Sequence, residues 1–361
     1  MKSATLAVAG PAVVGAAATP AKASVGGAVA RLMDTPGESR DAEWIKGALQ
    51  VAVELELATI PPYLCAWWSI KDRSSECARL IAGIINDEMY HMGLVCNLLA
   101  AVGGTPRIAD AVPSYPGPLP GGVRQGLTVY LSGLTKGYVH DVMMAIEAPE
   151  APLARVAGPP SIGSFYTALL TAFHEVGPAL SPQRQLPHRV GADNLVVMRT
   201  LDDVERAIEI IKEQGEGTDA SPDAPFSNHT PAHYYAFGEI YHERRLSESN
   251  GVWEFTGAAV PFPDARPMEV VPSGGWPSPA GRVQRLLREF DRKFTTMLND
   301  LEDAWATGDP GALDSAVRAM RSLESPAISL MGIPTPGGSG TYGPQFRSLP
   351  RRPGATVGAT S

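Results

Sequence analysis

NDEMYHMG, residues 86–93, sets Glu88 and His91 three positions apart, and FGEIYHER, residues 237–244, repeats that spacing at Glu239 and His242. With 21 Glu and 7 His among 361 residues, random placement yields about 0.4 such pairs. The repeat alone therefore decides little. Its weight depends on whether helices carry both copies, because residues i and i+3 of a helix project from one face. It depends equally on whether other carboxylates stand where a cation would need them.

The flanking sequence predicts those helices. DAEWIKGALQVAVELELATIPPYLCAWWSI, residues 41–70, is apolar nearly all round, as suits a helix inside a bundle. Pro61 and Pro62 are expected to kink it. A second helix, roughly Ser75–Val102, meets a stop at Gly103-Gly104 and Pro106. A third is predicted from about Leu127 to Ile146, ending near Pro149, and SIGSFYTALLTAFHEV (161–176) adds an extra helix. Helical periodicity returns in 202–214, in AHYYAFGEIYHERRL (232–246), in Arg282–Trp305 and in Ala312–Met331, while 251–280 reads as ordered coil. The expected class is all-α. Its organisation reads as a flexible tail at 1–40 and a metal-binding bundle at 41–250, with an insertion at about 151–230. Coil and helices packed on the bundle follow at 251–335, with a tail at 336–361.

Glu56, in VELELATIPPYL (53–64), and Glu147, in VMMAIEAPE (142–150), sit in apolar surroundings. A buried carboxylate is costly unless it is paired or metal-bound. In chain order, four helices then offer Glu56, Glu88 with His91, Glu147, and Glu239 with His242. That is the ligand set of di-iron and di-manganese carboxylate bundles. Two iron ions are the first expectation and manganese the second, since the set pairs carboxylates and imidazoles without thiolates. Glu88 and Glu239 are expected to bridge, with Glu56 and Glu147 terminal. Glu54 competes with Glu56. Pro149 puts Glu147 at a helix end, where Glu150 is the alternative. Tyr63 is read either as a catalytic redox group beside the metals or as a core tyrosine. His233 either approaches the pocket or lies exposed at a helix start, and His140 either shares the face of Glu147 or is a satisfied polar residue.

Composition limits the alternatives. A net charge of −8 without a dense basic run argues against nucleic acid. Three cysteines, Cys65, Cys77 and Cys96, form no CxxC pair and fit no disulfide framework. The first 24 residues read as a cytoplasmic tail, with an export signal as the alternative, because Pro11 interrupts a weakly hydrophobic Ala/Gly/Val stretch. No run of about 18 apolar residues occurs, so no membrane span is expected.

DEMYHMGLVCNLLAAVGGTP (87–106) is similar to the second helix of bacterioferritin-type proteins, and VELELATIPPY resembles the first helix of the ferritin-like superfamily. LELATIPPYL (55–64), KEQGEGT (212–218), HYYAFGEI (233–240), VPFP (260–263) and the C-terminal LM-x-x-P resemble one branch more closely. That branch is the ferritin-like domain of iminophenyl-pyruvate dimer synthases, oxidative enzymes of bisindole pigment and antibiotic pathways. The resemblance spans roughly residues 42–346. It implies a four-helix bundle with a long insertion between helices three and four and extra C-terminal helices. The first expectation for activity is a non-haem dimetal oxidoreductase using dioxygen or peroxide on a small amino-acid-derived intermediate. Iron oxidation and storage, or a metal-poor accessory role in biosynthesis, are the rival expectations. A homodimer is left open.

Overall fold

The computed structural model describes residues 27–149, 162–216, 222, 231–338 and 340–350. A short helix α1, Ala28–Met33, opens the described chain within the stretch that composition reads as tail. It is held where the Trp44 indole donates to the Leu32 carbonyl at 3.1 Å. Helix α2, Ala42–Ser69, starts where the Asp41 side chain accepts from the Trp44 amide at 2.8 Å. Helix α3, Glu76–Ala101, is capped likewise by Ser75, and Gly103 at φ 80° turns the chain out of it. The two helices are joined by a short turn and pack along their length.

The Pro61-Pro62 pair does not divide α2, which runs through both. Pro62 has no amide to give the carbonyl four residues earlier, that of Ala58. The buried Tyr115 hydroxyl donates to that carbonyl instead, at 2.7 Å. A loop side chain thus satisfies the acceptor that the helix cannot.

The third bundle helix begins later than expected. Residues 127–135 are extended: Val129 pairs with Gly117, and Leu131 and Gly133 exchange backbone hydrogen bonds with Val271 and Met268. A Cβ on Gly133 would stand 2.8 Å from the Arg266 carbonyl, so the strands meet closely there. Thr135 then caps α4, Lys136–Tyr138, which widens into a π-helix at Val139–Met144 and closes as α5, Ala145–Glu147. Such wide turns cluster at functional sites. This one ends on Glu147.

Helix α6, Ile162–Val176, packs on α2 and on α7, Leu201–Glu216. Between them a small hairpin, β1 His188–Val190 with β2 Asp193–Leu195, lies on α3. Helix α8, His233–His242, packs on the π-helical segment and on α3. A second hairpin, β3 Ser247–Ser249 with β4 Val252–Glu254, turns at Asn250 and Gly251, both at positive φ, where the sequence reads as coil. Helices α9, Gly281–Thr307, α10, Pro310–Arg321, and α11, Glu324–Leu330, form a C-terminal layer against α2 and α3. The architecture is mainly helical, as expected, with C-terminal helices packed on the bundle.

Part of the expected C-terminal tail belongs to the core. Phe346 is buried, stacks on Trp68 with ring centres 6.0 Å apart, and meets Phe290 and Phe294 edge-on. The Gln345 amide donates to Asp291 at 2.8 Å and fixes the strap in place. Residues 351–361 and 1–26 lie outside the described residues, as does part of the insertion. Among the described residues no helix is long and apolar enough to cross a membrane.

Tyr115→Phe should orphan the Ala58 carbonyl inside the bundle and cost about 1–3 kcal/mol of stability. Urea unfolding measures this, and an unchanged midpoint would mean that carbonyl has another partner.

Candidate metal centre

On α2, Glu56, Thr59 and Tyr63 follow i, i+3, i+7 spacing and share one face. Glu88 and His91 do the same on α3. Glu147 ends α5, and His233 opens α8. These five ligand-type residues, Glu56, Glu88, His91, Glu147 and His233, are each at most 6 % exposed. They form two groups whose donor atoms lie within 4.8 Å of one another: Glu56, Glu88 and His91, and Glu88, Glu147 and His233. Glu88 belongs to both.

The carboxylate oxygens are divided between two tasks. One oxygen of each accepts from a hydroxyl: Glu88 Oε2 from Thr59 at 2.7 Å, Glu147 Oε1 from Tyr63, and Glu56 Oε1 from Tyr166 of α6. The other oxygen of each faces an imidazole Nδ1. His91 Nδ1 lies 3.8 Å from Glu56 Oε2 and 3.9 Å from Glu88 Oε1. His233 Nδ1 lies 2.8 Å from Glu88 Oε1 and 3.7 Å from Glu147 Oε2. A single atom, Glu88 Oε1, therefore serves both groups.

Each imidazole is also addressed from behind. His91 Nε2 lies 2.6 Å from the Gln214 side-chain carbonyl, and His233 Nε2 lies 3.4 Å from Asp87 Oδ2. A neutral amide thus backs one histidine and a carboxylate the other, so the two halves differ in charge. The rings stand 5.6 Å apart, 28° from parallel.

A protein-family model described as ferritin-like matches residues 49–242, just over half of the chain. The chain belongs to the ferritin-like family. A crystal structure of a ferritin-like protein from Caulobacter vibrioides is 24 % identical, with a TM-score of 0.61; the match covers 84 % of this chain and 97 % of that one. At that identity the likeness shows the fold alone. No curated protein matches.

The donor set of this ferritin-like chain fits cations. Burial first, and then the neighbouring Glu88 charge, hold the carboxyls of Glu56 and Glu147 above their ordinary range, Glu56 by the wider margin. Burial would raise Glu88 as well, yet the adjoining imidazoles and the Thr59 hydroxyl outweigh it and keep its carboxyl low. Burial would lower His233, but Asp87, Glu147 and Glu88 reverse that and hold it high, whereas burial dominates at His91 and lowers it. His233 keeps both ring nitrogens inside the bundle without an aligned hydrogen bond, although Glu88 Oε1 is only 2.8 Å away. Three carboxylates crowded into an apolar interior, with an imidazole edge left over, call for positive charge. Oxygen and imidazole donors without thiolate suit iron or manganese.

Of the residues that the sequence suggests, the structure brings together Glu56, Glu88, His91, Glu147 and the Tyr63 hydroxyl. It does not bring Glu239 or His242 to them. Glu239 accepts from the Leu246 amide at 2.8 Å and from Arg245 at 2.5 Å, and Arg245 also binds Glu76. His242 is exposed and stacks on Phe255 at 4.4 Å. Helix geometry explains the exchange: at about 100° per residue, His242 points half a turn away from His233 and Glu239 about a third of a turn away. Of the two glutamates expected to bridge, only Glu88 lies in the cluster. Arg244 and Arg245, directly after the motif, are the sequence signal that Glu239 already has a counter-charge. Glu54 joins neither group, and Glu150 lies outside the described residues. His140 pairs with Asp141 at 2.7 Å on the surface. Sequence reading gave no role to Gln214 or Tyr166. The KEQGEGT stretch marks the first, and no local signal marks the second.

Metal uptake needs Glu56 and Glu147 ionised and His233 free of its Nδ1 proton. All three hold protons to higher pH than usual, so wherever they are protonated uptake would expel those protons, and apparent affinity should fall as pH falls. The expected slope is about tenfold per pH unit for each proton expelled. Anaerobic calorimetry with ferrous iron in buffers of different ionisation enthalpy counts those protons, and a pH-independent affinity would contradict the arrangement.

Proposed function

We propose that this ferritin-like chain is a non-haem dimetal oxidoreductase, with iron as its metal and manganese as the alternative, using dioxygen or peroxide. The observation that carries the reading is the pair of buried Glu/His groups meeting at Glu88 Oε1. Glu56 and His91 would hold one ion, Glu147 and His233 the other, and Glu88 both. When bound, the metals supply electrons and Lewis acidity for reducing the oxidant.

The surrounding residues support that use. Burial and the Glu147 carboxylate hold the Tyr63 phenol well above its ordinary range, so it keeps its proton beside Glu147 at neutral pH. Ile146 and Ile211 line the cavity between the carboxylates and limit water there. That cavity is about 30 Å³, roughly the space of two water-sized groups. It admits ions and a diatomic oxidant. An organic molecule would meet the centre at its edge, where Lys212, Gly215, Ile162 and Gly163 line it.

The resemblance to iminophenyl-pyruvate dimer synthases supplies the proposed substrate class, a small amino-acid-derived intermediate of natural-product biosynthesis. The insertion at about 151–230 would shape its approach. The small cavity favours a second reading, oxidation of ferrous iron, which needs no more room than the centre has. Ferric product far in excess of two equivalents per chain would select that reading.

Metal analysis tests the centre directly. The purified chain should bind about two iron per chain. His233→Ala should lose one of them, and Glu88→Ala both, while His242→Ala and Glu239→Gln keep the full content. Two iron retained in His233→Ala, or lost in His242→Ala, would overturn the assignment. A wild-type chain unable to take up iron or manganese would favour a metal-free accessory role.

A further inference from the structure

A second cavity lies beside the bundle, about a third of a turn round α2 and α3 from the ligand-bearing faces. Its volume is about 430 Å³, against 30 Å³ at the metal centre. Five parts of the chain enclose it: α2, α3, the β1–β2 hairpin, the C-terminal layer and Phe346 of the strap that follows. Trp67, Trp68, Met89, Met92, Met297 and Met320 supply aromatic and thioether walls. Methionine side chains re-pack around irregular guests, and aromatic rings offer flat apolar contact. Close-packed interiors leave few voids larger than one water molecule. A space this size falls in the range of small-molecule sites. Its mostly apolar walls offer water few partners.

The polar part of the lining has a sign. Among the described lining residues, Asn86, His188, Arg189, Arg321 and Glu324 carry polar side chains. Glu324 is matched by Arg73 at 3.1 Å, and Arg73 in turn lies over the Trp67 ring at 4.0 Å. Arg189 and Arg321 are exposed at the mouth, and Arg189 is engaged through Nε with the Gly191 carbonyl at 3.2 Å. The one acidic group is thus paired and the rim keeps an excess of positive charge.

We propose that this cavity binds a small apolar monocarboxylate, its hydrocarbon or aryl body between the tryptophans and methionines and its carboxylate at the arginine rim. The site is separate from the metal centre and does not depend on what that centre does. A neutral apolar guest would use the walls without the rim, and a cationic one would be repelled by it.

Calorimetry on the full chain, with decanoate, decanol and decyltrimethylammonium each below its micelle concentration, tests the proposal. Decanoate should bind at one per chain and more tightly than either analogue. The Arg189→Ala, Arg321→Ala double variant should weaken decanoate about five- to tenfold and leave decanol unchanged. Ala82→Phe places a ring in the cavity and should abolish binding of all three while metal content and helical circular dichroism persist. Met89→Trp fills the same space from two turns further along α3 and should do the same if Ala82→Phe does not fold. Absence of saturable decanoate binding, or equal binding of decanoate and the cationic analogue, would overturn the proposal. So would binding unaffected by a folded filling variant.

Discussion

Three carboxylates drawn together inside an apolar bundle set the terms for the rest of this protein. Taking even one ionised carboxylate from water costs several kcal/mol after relaxation. Glu88 stays ionised there, Glu56 and Glu147 hold their protons to higher pH than usual, and the structure meets the remaining cost locally. Thr59, Tyr63 and Tyr166 each give a hydroxyl to one oxygen, and the remaining oxygens converge on two imidazole edges. The apolar surfaces of α2 and α3 hold these groups in place. The polar arrangement is tolerable only because both helices are so thoroughly buried elsewhere.

Much of that arrangement was legible in the sequence, for a simple reason. Helix periodicity fixes which residues of one segment share a face, so Glu56 with Tyr63, and Glu88 with His91, could be placed from spacing alone. The fourth contribution was harder. The Glu239/His242 pair has the right spacing, but spacing does not say which way a ten-residue helix is rotated. His233 opens that helix and faces α3, which turns the pair outward. Arg245 then neutralises Glu239. Charge balance, read beside periodicity, would have separated the two possibilities.

Other differences have the same origin in tertiary context. The Pro61-Pro62 pair reads as a kink, and local sequence cannot show that Tyr115 arrives from a distant loop to satisfy Ala58. Residues 127–135 have apolar spacing compatible with helix, yet they pair with 266–271 where Gly133 permits close approach. Tyr166 and Gln214 come from α6 and α7, between the third and fourth bundle helices, and complete the surroundings of Glu56 and His91. Helices α6 and α7 therefore contribute to the site.

The hydroxyl clamps bear on how freely the carboxylates can move. Each clamped group offers a single oxygen inward. Swinging one round to chelate with both oxygens would break a buried hydrogen bond, a penalty that falls separately on Glu56, Glu88 and Glu147. A ligand shell built from them would thereby be biased toward one mode of attachment, and its stiffness would come from three neutral side chains on two helices.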